Sequence, residues 1–420
     1  MYPRTQEKIN RLSVPERKAV LLFLEQFRLG FNYSREFIDY LFDIARRDNI
    51  LMANVLRDEA ITSLAENVKL PHGRKADLLR AVLRRIRYPS KPSPPSPLPE
   101  GEGGKKRIAR ALQKGNWIKR CPGTKKHICC NYYVIGNAIG CPFNCTYCYL
   151  HAYVNSAREI TIYNNYDALF AELKEFLRQN AGVHLRIGTG EFSDSLALDK
   201  HTGLSKQLIE LFAGQNDHLL ELKTKSVAVD HLLNLDHRGQ TVFAWSVNPE
   251  RIVKTEELGT EALKNRIAAA KRCVAAGYSV AFHFDPIIFY AGWEREYQAV
   301  VDLIFASIPA DKVAWISLGA LRYPLALKDI IEEKFPHSRI TLGELDAGPD
   351  KKLRYFEPIR IEIFSKMQNF IRAYAKEVYI YLCMESEMVW EGAGIRNGND
   401  NEYAKYFKFR SSDGHYIMHV

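Results

Sequence analysis

An alternation of short strand-like runs with longer helix-like runs constrains the fold of this chain more than any other feature of its sequence. The strand-like runs are rich in β-branched and aromatic residues and cover residues 132–139, 184–189, 219–226, 241–248, 279–288 and 313–321. Helical periodicity follows most of them, at residues 205–212, 261–276, 294–308 and 326–334. Strands that alternate with helices predict a parallel sheet with right-handed crossovers, so we expect the α/β class and a partial (β/α)6 barrel.

A loop directly after the first strand-like run carries three closely spaced cysteines. Cys141, Cys145 and Cys148 are separated by three and then by two residues, next to a Gly-Cys-Pro turn. Three thiolates on one tight loop can hold a single soft-metal centre. They leave a four-site cluster one ligand short, and an open coordination position is typical of catalytic rather than structural metal sites.

A structural zinc site and a disulfide framework are the two alternative uses of these cysteines. A structural zinc site would need a fourth ligand from Cys121, Cys129 or Cys130, but zinc sites usually combine two short Cys or Cys/His pairs. A disulfide framework fits less well, because eight cysteines in 420 residues are sparse and the N-terminus lacks an apolar signal segment. An iron–sulfur cluster is therefore the favoured interpretation.

Polar residues follow the strand-like runs at the end where a parallel barrel gathers its reactive groups. Each motif alone is weak evidence, since small turns and single polar residues at strand ends are usually structural. Their recurrence after six successive runs, around a thiolate loop, predicts one shared site. Besides the cysteine loop, the residues are Gly190, Glu191, Ser193 and Asp194, then Thr224 and Lys225, Ser246 and Asn248, His283 and Asp285, and finally Arg322.

The chain is basic, with a formal net charge of +10 and a pI near 9.0. Such an excess favours a polyanionic partner, nucleic acid first, although it is also common on ordinary solvated surfaces. Basic residues crowd 105–120 around Trp117, a pattern that suits a phosphate backbone and a stacked base as well as a charged linker end. No apolar run approaches the roughly 20 residues of a membrane span, so we expect no membrane association and a cytoplasmic location.

The segments outside the barrel differ from it in composition. Residues 1–87 have apolar residues at helical spacing and predict a helical accessory domain. Residues 88–106 form a Pro/Gly-rich linker. We assign residues 107–131 to a basic, cysteine-containing lead-in, 132–335 to the barrel, and 336–420 to an α/β extension that completes the substrate side.

Several tracts together resemble the spore photoproduct lyase branch of the radical S-adenosylmethionine (SAM) superfamily. They are residues 141–153, the Ser193-Asp194 and Thr224-Lys225 steps, and residues 246–249, 290–294, 317–322, 353–356 and 381–385. The resemblance implies a [4Fe–4S] cluster on the three cysteines, with SAM bound at its fourth iron. It also implies SAM contacts from Gly190, Ser193, Lys225, Ser246 and Asn248.

The implied activity is reductive SAM cleavage to a 5′-deoxyadenosyl radical that repairs a pyrimidine photoproduct in DNA. The implied partners are DNA and an electron donor such as a flavodoxin or a ferredoxin. Tyr147 and Tyr149 match two tyrosines on the path by which that family returns a hydrogen atom. Aromatic residues on this loop are equally expected simply to cover the cluster.

Glu191 departs from the pattern of the family, which has a hydrogen-donating cysteine at this place. A carboxylic O–H bond is too strong to replace a thiol as hydrogen-atom donor, so Glu191 is expected to hold the SAM amino group. The missing thiol could come from Cys121, Cys129, Cys130 or Cys383. Otherwise the enzyme would act on RNA, a peptide or a small molecule. A third alternative is a non-catalytic, metal-containing nucleic-acid-binding protein.

Overall fold

The computed structural model describes residues 106–123, 127–154, 159–343, 345–348, 350–395, 401–407, 409–410 and 416–417. The predicted helical domain 1–87 and all but the last residue of the 88–106 linker lie outside the described residues. Residues 104–341 and 345–420 form one compact unit, which contains the predicted lead-in, barrel and extension together.

The strands, in chain order, are β1 Arg107–Ala111, β2 Ile118–Arg120, β3 Tyr133–Ile135, β4 Ala138–Ile139, β5 Asn144–Cys145, β6 Glu159–Tyr163, β7 Leu185–Thr189, β8 His218–Thr224, β9 Thr241–Ser246, β10 Glu257–Leu258, β11 Ser279–Ile287, β12 Val313–Ala320, β13 Arg322–Pro324, β14 Leu345–Ala347, β15 Lys352–Tyr355, β16 Tyr379–Leu382, β17 Phe409–Arg410 and β18 Tyr416–Ile417. The α-helices are α1 Leu150–Tyr153, α2 Tyr166–Gln179, α3 Asp199–Thr202, α4 Leu204–Ala213, α5 Glu250–Glu256, α6 Leu263–Ala275, α7 Trp293–Ser307, α8 Leu325–Lys334, α9 Glu357–Arg372 and α10 Glu387–Gly392. Short 3₁₀ turns cover Asp230–Leu232, Ala310–Lys312, Ile340–Leu342 and Ala404–Tyr406.

The main sheet has eight strands in the order β16-β12-β11-β9-β8-β7-β3-β2 and curls into a half-barrel. Every neighbouring pair is parallel except β2 and β3. All six predicted strand-like runs contribute to it, which confirms the partial barrel. The sheet is also wider than predicted, because β2 from the lead-in and β16 from the C-terminal extension add a strand at each edge.

The central strands are rich in apolar residues because both of their faces are covered. Every residue of β9 and of β12 is buried. The outer helices turn one apolar stripe to the sheet, as on α2, where Leu169, Leu173 and Leu177 recur at four-residue spacing and are at most 3% exposed. Burying each such side chain stabilises the fold by about 1.5–3 kcal/mol. Because the buried faces of the sheet and of the helices meet, the hydrophobic core lies between these two layers.

Small sheets surround the half-barrel and bring distant segments to its rim. β5 pairs with β10, which ties the cysteine loop to the segment after α5. β15 pairs with β13 and β14 beside the carboxyl end of β12. A third sheet, β1-β6-β4, contains the first strand of the lead-in.

The structure corrects one interpretation of the lead-in. Trp117 is only 2% exposed, its ring lies edge-on to Tyr163 at 6.1 Å, and its backbone N–H donates to Glu172 Oε1 at 2.9 Å. It therefore serves the core and has no free face on which a base can stack. The basic residues around it, Arg107, Arg110, Lys114, Lys119 and Arg120, are exposed. Among the described helices, none has both the length and the apolar character to cross a bilayer.

Candidate active site

Two sets of hydrogen bonds and one glycine turn determine the position of the cysteine loop. Lys106 Nζ donates to the carbonyl oxygens of Cys141 at 2.6 Å and of Phe143 at 3.0 Å. On the other side, Thr146 bonds Glu256 through both its backbone N–H (2.8 Å to the carbonyl oxygen) and its hydroxyl (2.5 Å to Oε2). Gly140, at a φ of +94°, allows the chain to turn into the loop. Hydrogen bonds from outside the loop thus support its conformation.

The three predicted metal ligands lie together at this loop, with Cys145 buried and Cys141 and Cys148 half-buried. Burial raises the pKa of Cys141 to about 12, and the thiol groups of Cys141 and Cys148 each raise the pKa of Cys145 further. Cys141 and Cys148 also line one cleft together with Lys106 and His151. Thiols in this setting need a bound metal to stay ionised.

The donor set is chemically suited to an iron–sulfur cluster. In the described part of the chain, no three Cys, His, Asp or Glu side chains are grouped closely enough to share one metal ion, as a mononuclear zinc site requires. In a [4Fe–4S] cube each thiolate binds a different iron, so the sulfurs stand farther apart. Three thiols without a hard ligand are the donor chemistry of such a cube.

Asp194 joins the loop after β7 to the end of β8. Its Oδ1 accepts the Thr224 hydroxyl at 2.6 Å and its Oδ2 accepts the Lys225 backbone N–H at 2.7 Å. The Ser-Asp and Thr-Lys steps of the sequence are therefore bonded to each other. Beside this junction, Ser193 Oγ is buried and has no hydrogen-bond partner among the described residues. Gly190 reaches a φ of +102°, which a residue with a side chain rarely adopts.

Lys225 provides a cation that no described acidic side chain neutralises by direct contact. Its Nζ lies 5.8 Å from the centre of the Tyr147 ring and makes no hydrogen bond or ion pair within the described residues. Burial lowers the pKa of Lys225, but the charges of Glu257 and Cys145 more than offset this, and the net shift is upward. A half-buried ammonium of this kind suits the carboxylate of a bound ligand.

Ser246 and Asn248 are brought to the same region by a buried ion pair that the sequence analysis missed. Arg266 and Glu257 meet at 2.6 Å with both side chains fully buried. Arg266 Nη1 also donates to the Ser246 carbonyl at 2.9 Å, and Asn248 Nδ2 donates to Glu257 Oε1 at 2.9 Å. The signal was available, since Arg266 interrupts the apolar face of α6.

The two loop tyrosines occupy different surroundings. The Tyr147 hydroxyl donates to Glu257 Oε1 at 2.5 Å, so this ring faces the buried ion pair. The Tyr149 hydroxyl donates to the backbone carbonyl of Glu191, and its ring is 37% exposed. The Glu191 carboxyl is half-buried, and desolvation raises its pKa.

A second buried polar network fills the half-barrel. Arg186 on β7 lies 3.4 Å from Glu221 Oε2 and donates to Cys130 Sγ at 2.8 Å. His283 Nε2 lies 2.7 Å from Glu221 Oε1, and burial lowers the pKa of His283 to about 4. Charged residues inside the apolar runs of β7 and β8 were the sequence signal for this network.

Arg322, Asp285 and two of the extra cysteines, Cys121 and Cys383, also lie at this interior. Arg322 pairs with Asp285 at 3.1 Å and donates to Cys383 Sγ at 3.3 Å. Cys121 is half-buried, and among the charges that act on its pKa after burial are those of Glu191 and Lys223. The structure therefore gathers thiols from the lead-in and from the end of β16 around one polar chamber.

Comparison with known proteins gives consistent results. The model of the family described as spore photoproduct lyase matches residues 124–373. Curated spore photoproduct lyases of Bacillus subtilis and a Geobacillus species are 32% and 30% identical over 214 residues, or 50% of this chain. These matches span 63% of each relative, less than two thirds of its length.

Solved structures agree with this assignment. A spore photoproduct lyase complexed with dinucleoside spore photoproduct is 26% identical, with a TM-score of 0.59 over 66% of this chain and 82% of that one. A variant of a spore photoproduct lyase with bound AdoMet and dinucleoside spore photoproduct is 22% identical, covers 82% of this chain and 94% of that one, and has a TM-score of 0.59, which shows a shared fold.

Proposed function

The chain belongs to the spore photoproduct lyase family of the radical SAM superfamily, and on that premise we propose that it is a SAM-dependent lyase that repairs a pyrimidine photoproduct in DNA. The observation that carries the proposal is the convergence of three groups at the carboxyl end of the half-barrel. They are the three-thiol loop, the unpaired Lys225 ammonium and the buried, unbonded Ser193 hydroxyl. Relatives that carry the family name, and one solved with a dinucleoside photoproduct, support a DNA lesion as substrate.

In this proposal, different residues bind the iron–sulfur cluster and SAM. Cys141, Cys145 and Cys148 would hold a [4Fe–4S] cluster, which with SAM supplies a 5′-deoxyadenosyl radical after one-electron reduction. Lys225 would bind the SAM carboxylate, while Ser193 and the backbone at Gly190 and Glu191 would meet its amino group. Asp194 and the Arg266–Glu257 pair fix the positions of these groups and of Ser246 and Asn248. The apolar walls of the barrel keep bulk water from the reacting atoms.

The hydrogen donor in this proposal is Cys121. Cys130 and Cys383 each accept a hydrogen bond from a buried arginine, whereas Cys121 lies close enough to Glu191 for that charge to act on it. Its S–H bond would break to give a hydrogen atom to the substrate carbon radical, leaving a thiyl radical at Cys121. Tyr149, whose hydroxyl donates to the backbone carbonyl of Glu191, would pass a hydrogen atom to that sulfur.

The electron donor would dock at the cleft beside the cysteine loop. Cys141 and Cys148 line this cleft together with Lys106, Lys334 and His151. Exposed Tyr153 lies next to it along the chain. A cationic rim with an apolar neighbour suits an acidic flavodoxin- or ferredoxin-type carrier, in keeping with a cytoplasmic enzyme.

The decisive assay is anaerobic turnover of a defined photoproduct. With a reductant and SAM, the reconstituted protein should convert the spore photoproduct in an oligonucleotide to two adjacent, unlinked thymines. Lys225→Met should retain iron but lose most SAM affinity, and Cys121→Ala should cleave SAM yet accumulate abortive products. SAM cleavage without lesion repair would favour another substrate, RNA, peptide or small molecule, as the Glu191 replacement suggests. Absence of SAM cleavage by an iron-loaded protein would favour the non-catalytic alternative.

A further inference from the structure

A cavity of about 280 Å³ lies outside the site described so far. It is formed by the β14–β15 hairpin, the beginning of α9 and the beginning of α10. Its lining includes Arg354, Tyr355, Phe356, Arg360, Ser386 and Met388. Its lining contains no residue of the cysteine loop and none of the Ser193-Asp194 and Thr224-Lys225 steps.

The cavity adjoins the interior of the half-barrel. Arg322, which pairs with Asp285 in that interior, is the strand partner of Arg354 on β15. Arg322 also bonds Cys383, and Ser386 follows only three residues later. Three residues span at most about 11 Å, and stacked nucleotides are about 3.4 Å apart along a strand. Ser386 therefore lies within about 11 Å of Cys383 at the rim of the half-barrel, which is a distance of roughly three nucleotide steps.

The two arginines that line the cavity are each paired with a carboxylate, and the side chains of Asp346 and Glu357 add further negative charge to its wall. Arg354 is 3% exposed and pairs with Asp350 at 2.6 Å, and Arg360 is 6% exposed and pairs with Glu385 at 3.0 Å. Arg354 Nε and Ser386 Oγ are nevertheless buried without a hydrogen-bond partner among the described residues. Neutralised arginines do not attract a phosphate strongly, whereas two unbonded polar atoms suit the polar edge of a neutral ligand.

The rim of the cavity is apolar. Phe356 is 42% exposed and Met388 is 63% exposed, although both are large and hydrophobic. An aromatic face beside a polar floor is the arrangement that binds an unstacked nucleobase. Given the proposed function, we propose that this cavity binds a nucleobase that flanks the lesion in the damaged strand, stacked on Phe356 and hydrogen-bonded to Ser386 and Arg354.

The test compares two substrates with the reconstituted enzyme. The dinucleoside photoproduct has no flanking base, whereas a single-stranded oligonucleotide with the same lesion has one on each side. Phe356→Ala should weaken oligonucleotide binding about tenfold, since stacking one base contributes roughly 1–3 kcal/mol. It should leave the affinity for the dinucleoside unchanged. Ser386→Ala should act in the same direction, and Phe356→Trp should restore binding.

Tyr374→Ala is the matched control, because Tyr374 is 51% exposed just beyond the other end of α9 and stacks on Phe305. A 2-aminopurine beside the lesion gives a readout independent of turnover, and Phe356→Ala should remove its quenching. Equal losses for both substrates, or unchanged oligonucleotide binding, would overturn the inference. If the wild-type enzyme repairs neither substrate, the proposed function fails, while the 2-aminopurine signal still decides whether the cavity takes a base.

Discussion

At the scale of single residues, the cysteine loop depends on a lysine that comes before the sheet. Lys106 donates to two carbonyl oxygens of the loop. Burial lowers the pKa of Lys106, and the charges of the three cysteine thiols offset part of this shift. Hydrogen bonds from a charged donor contribute about 1.5–3 kcal/mol each when partly buried. Lys106 therefore holds the backbone of the loop that carries the proposed metal ligands, and it is not one of those ligands itself.

We expect Lys106→Met to reduce the iron content of the reconstituted protein at least twofold, because the loop loses both hydrogen bonds. Iron per chain and the visible absorbance of the cluster measure the effect. Lys106→Arg should restore most of the iron. Lys114→Met removes an exposed charge from the lead-in, eight residues further along the chain, and should change nothing. An equal loss in Lys114→Met would mean that overall charge, rather than the loop contact, controls loading.

Single residues also mark the limit of prediction from sequence. The Ser193-Asp194 and Thr224-Lys225 steps were predicted because each follows an apolar strand, and the structure joins them through Asp194. Glu257 and Arg266 were missed because Glu257 lies in β10 and Arg266 in α6, and only tertiary packing makes them partners. Sequence periodicity reports which face of a helix is buried but not which charge lies opposite.

At the scale of elements, the six principal strands were predicted because strands buried on both faces read as continuous apolar runs. The two- and three-residue strands, such as β5, β10 and β13, were not, because so short a stretch carries no periodicity. Their positions are fixed by side-chain contacts to the cysteine loop and to the rim. The predicted single strand at 132–139 is divided into β3 and β4, which join different sheets.

Packing between β7 and β8 allows no side chain at Gly188. A Cβ atom there would lie 2.0 Å from the Glu221 carbonyl oxygen and 2.2 Å from the Tyr132 hydroxyl. We expect Gly188→Ala to lower the free energy of unfolding by about 3 kcal/mol, because the backbone of a central strand cannot move aside. Gly182→Ala, at a φ of +76° with open space around it, should cost only about 1 kcal/mol. Urea unfolding of both variants measures the difference, and similar values would contradict the packing argument.

The polar network between β7, β8 and β11 makes stability depend on pH. Burial, followed by the charge of Lys223, lowers the pKa of His283 to about 4, below its ordinary 6.5. Between these values the unfolded chain takes up a proton that the folded protein does not, so stability falls as pH decreases from about 6.5 to 4. The loss is of the order of 2 kcal/mol. His283→Gln should have a smaller decrease in melting temperature over this window, and an identical decrease would exclude His283 as its source.

At the scale of the whole molecule, the chain carries a net charge of +10, and the positions of its exposed cations bear on what it binds. Exposed cations lie in the lead-in and beside the cysteine cleft, where they would attract the two proposed anionic partners, a nucleic acid and a carrier protein. Electrostatic steering by such charges acts mainly on association rates and weakens as salt increases.

We expect Lys334→Glu to slow cluster reduction by an acidic carrier protein about tenfold at low salt, because Lys334 lines the cleft of Cys141 and Cys148. The difference should shrink at high ionic strength, where the Debye length falls to a few ångströms. Stopped-flow absorbance of the cluster measures the rate. Photoreduction by a small neutral flavin should not change, and Lys206→Glu on α4 should behave as the wild type. Equal slowing with the flavin would place the effect on the cluster itself.

The last parallel strand of the half-barrel, β16, pairs with β12 but emerges from the ribosome roughly 230 residues after Cys148. At typical elongation rates of about 5–20 residues per second, the three thiols wait roughly 10–50 s in a nascent chain whose sheet is unfinished. During that interval they are open to oxidation and to adventitious metals. We therefore expect productive cofactor loading to follow completion of translation, so that chaperoning and maturation, rather than synthesis, set the yield of active protein.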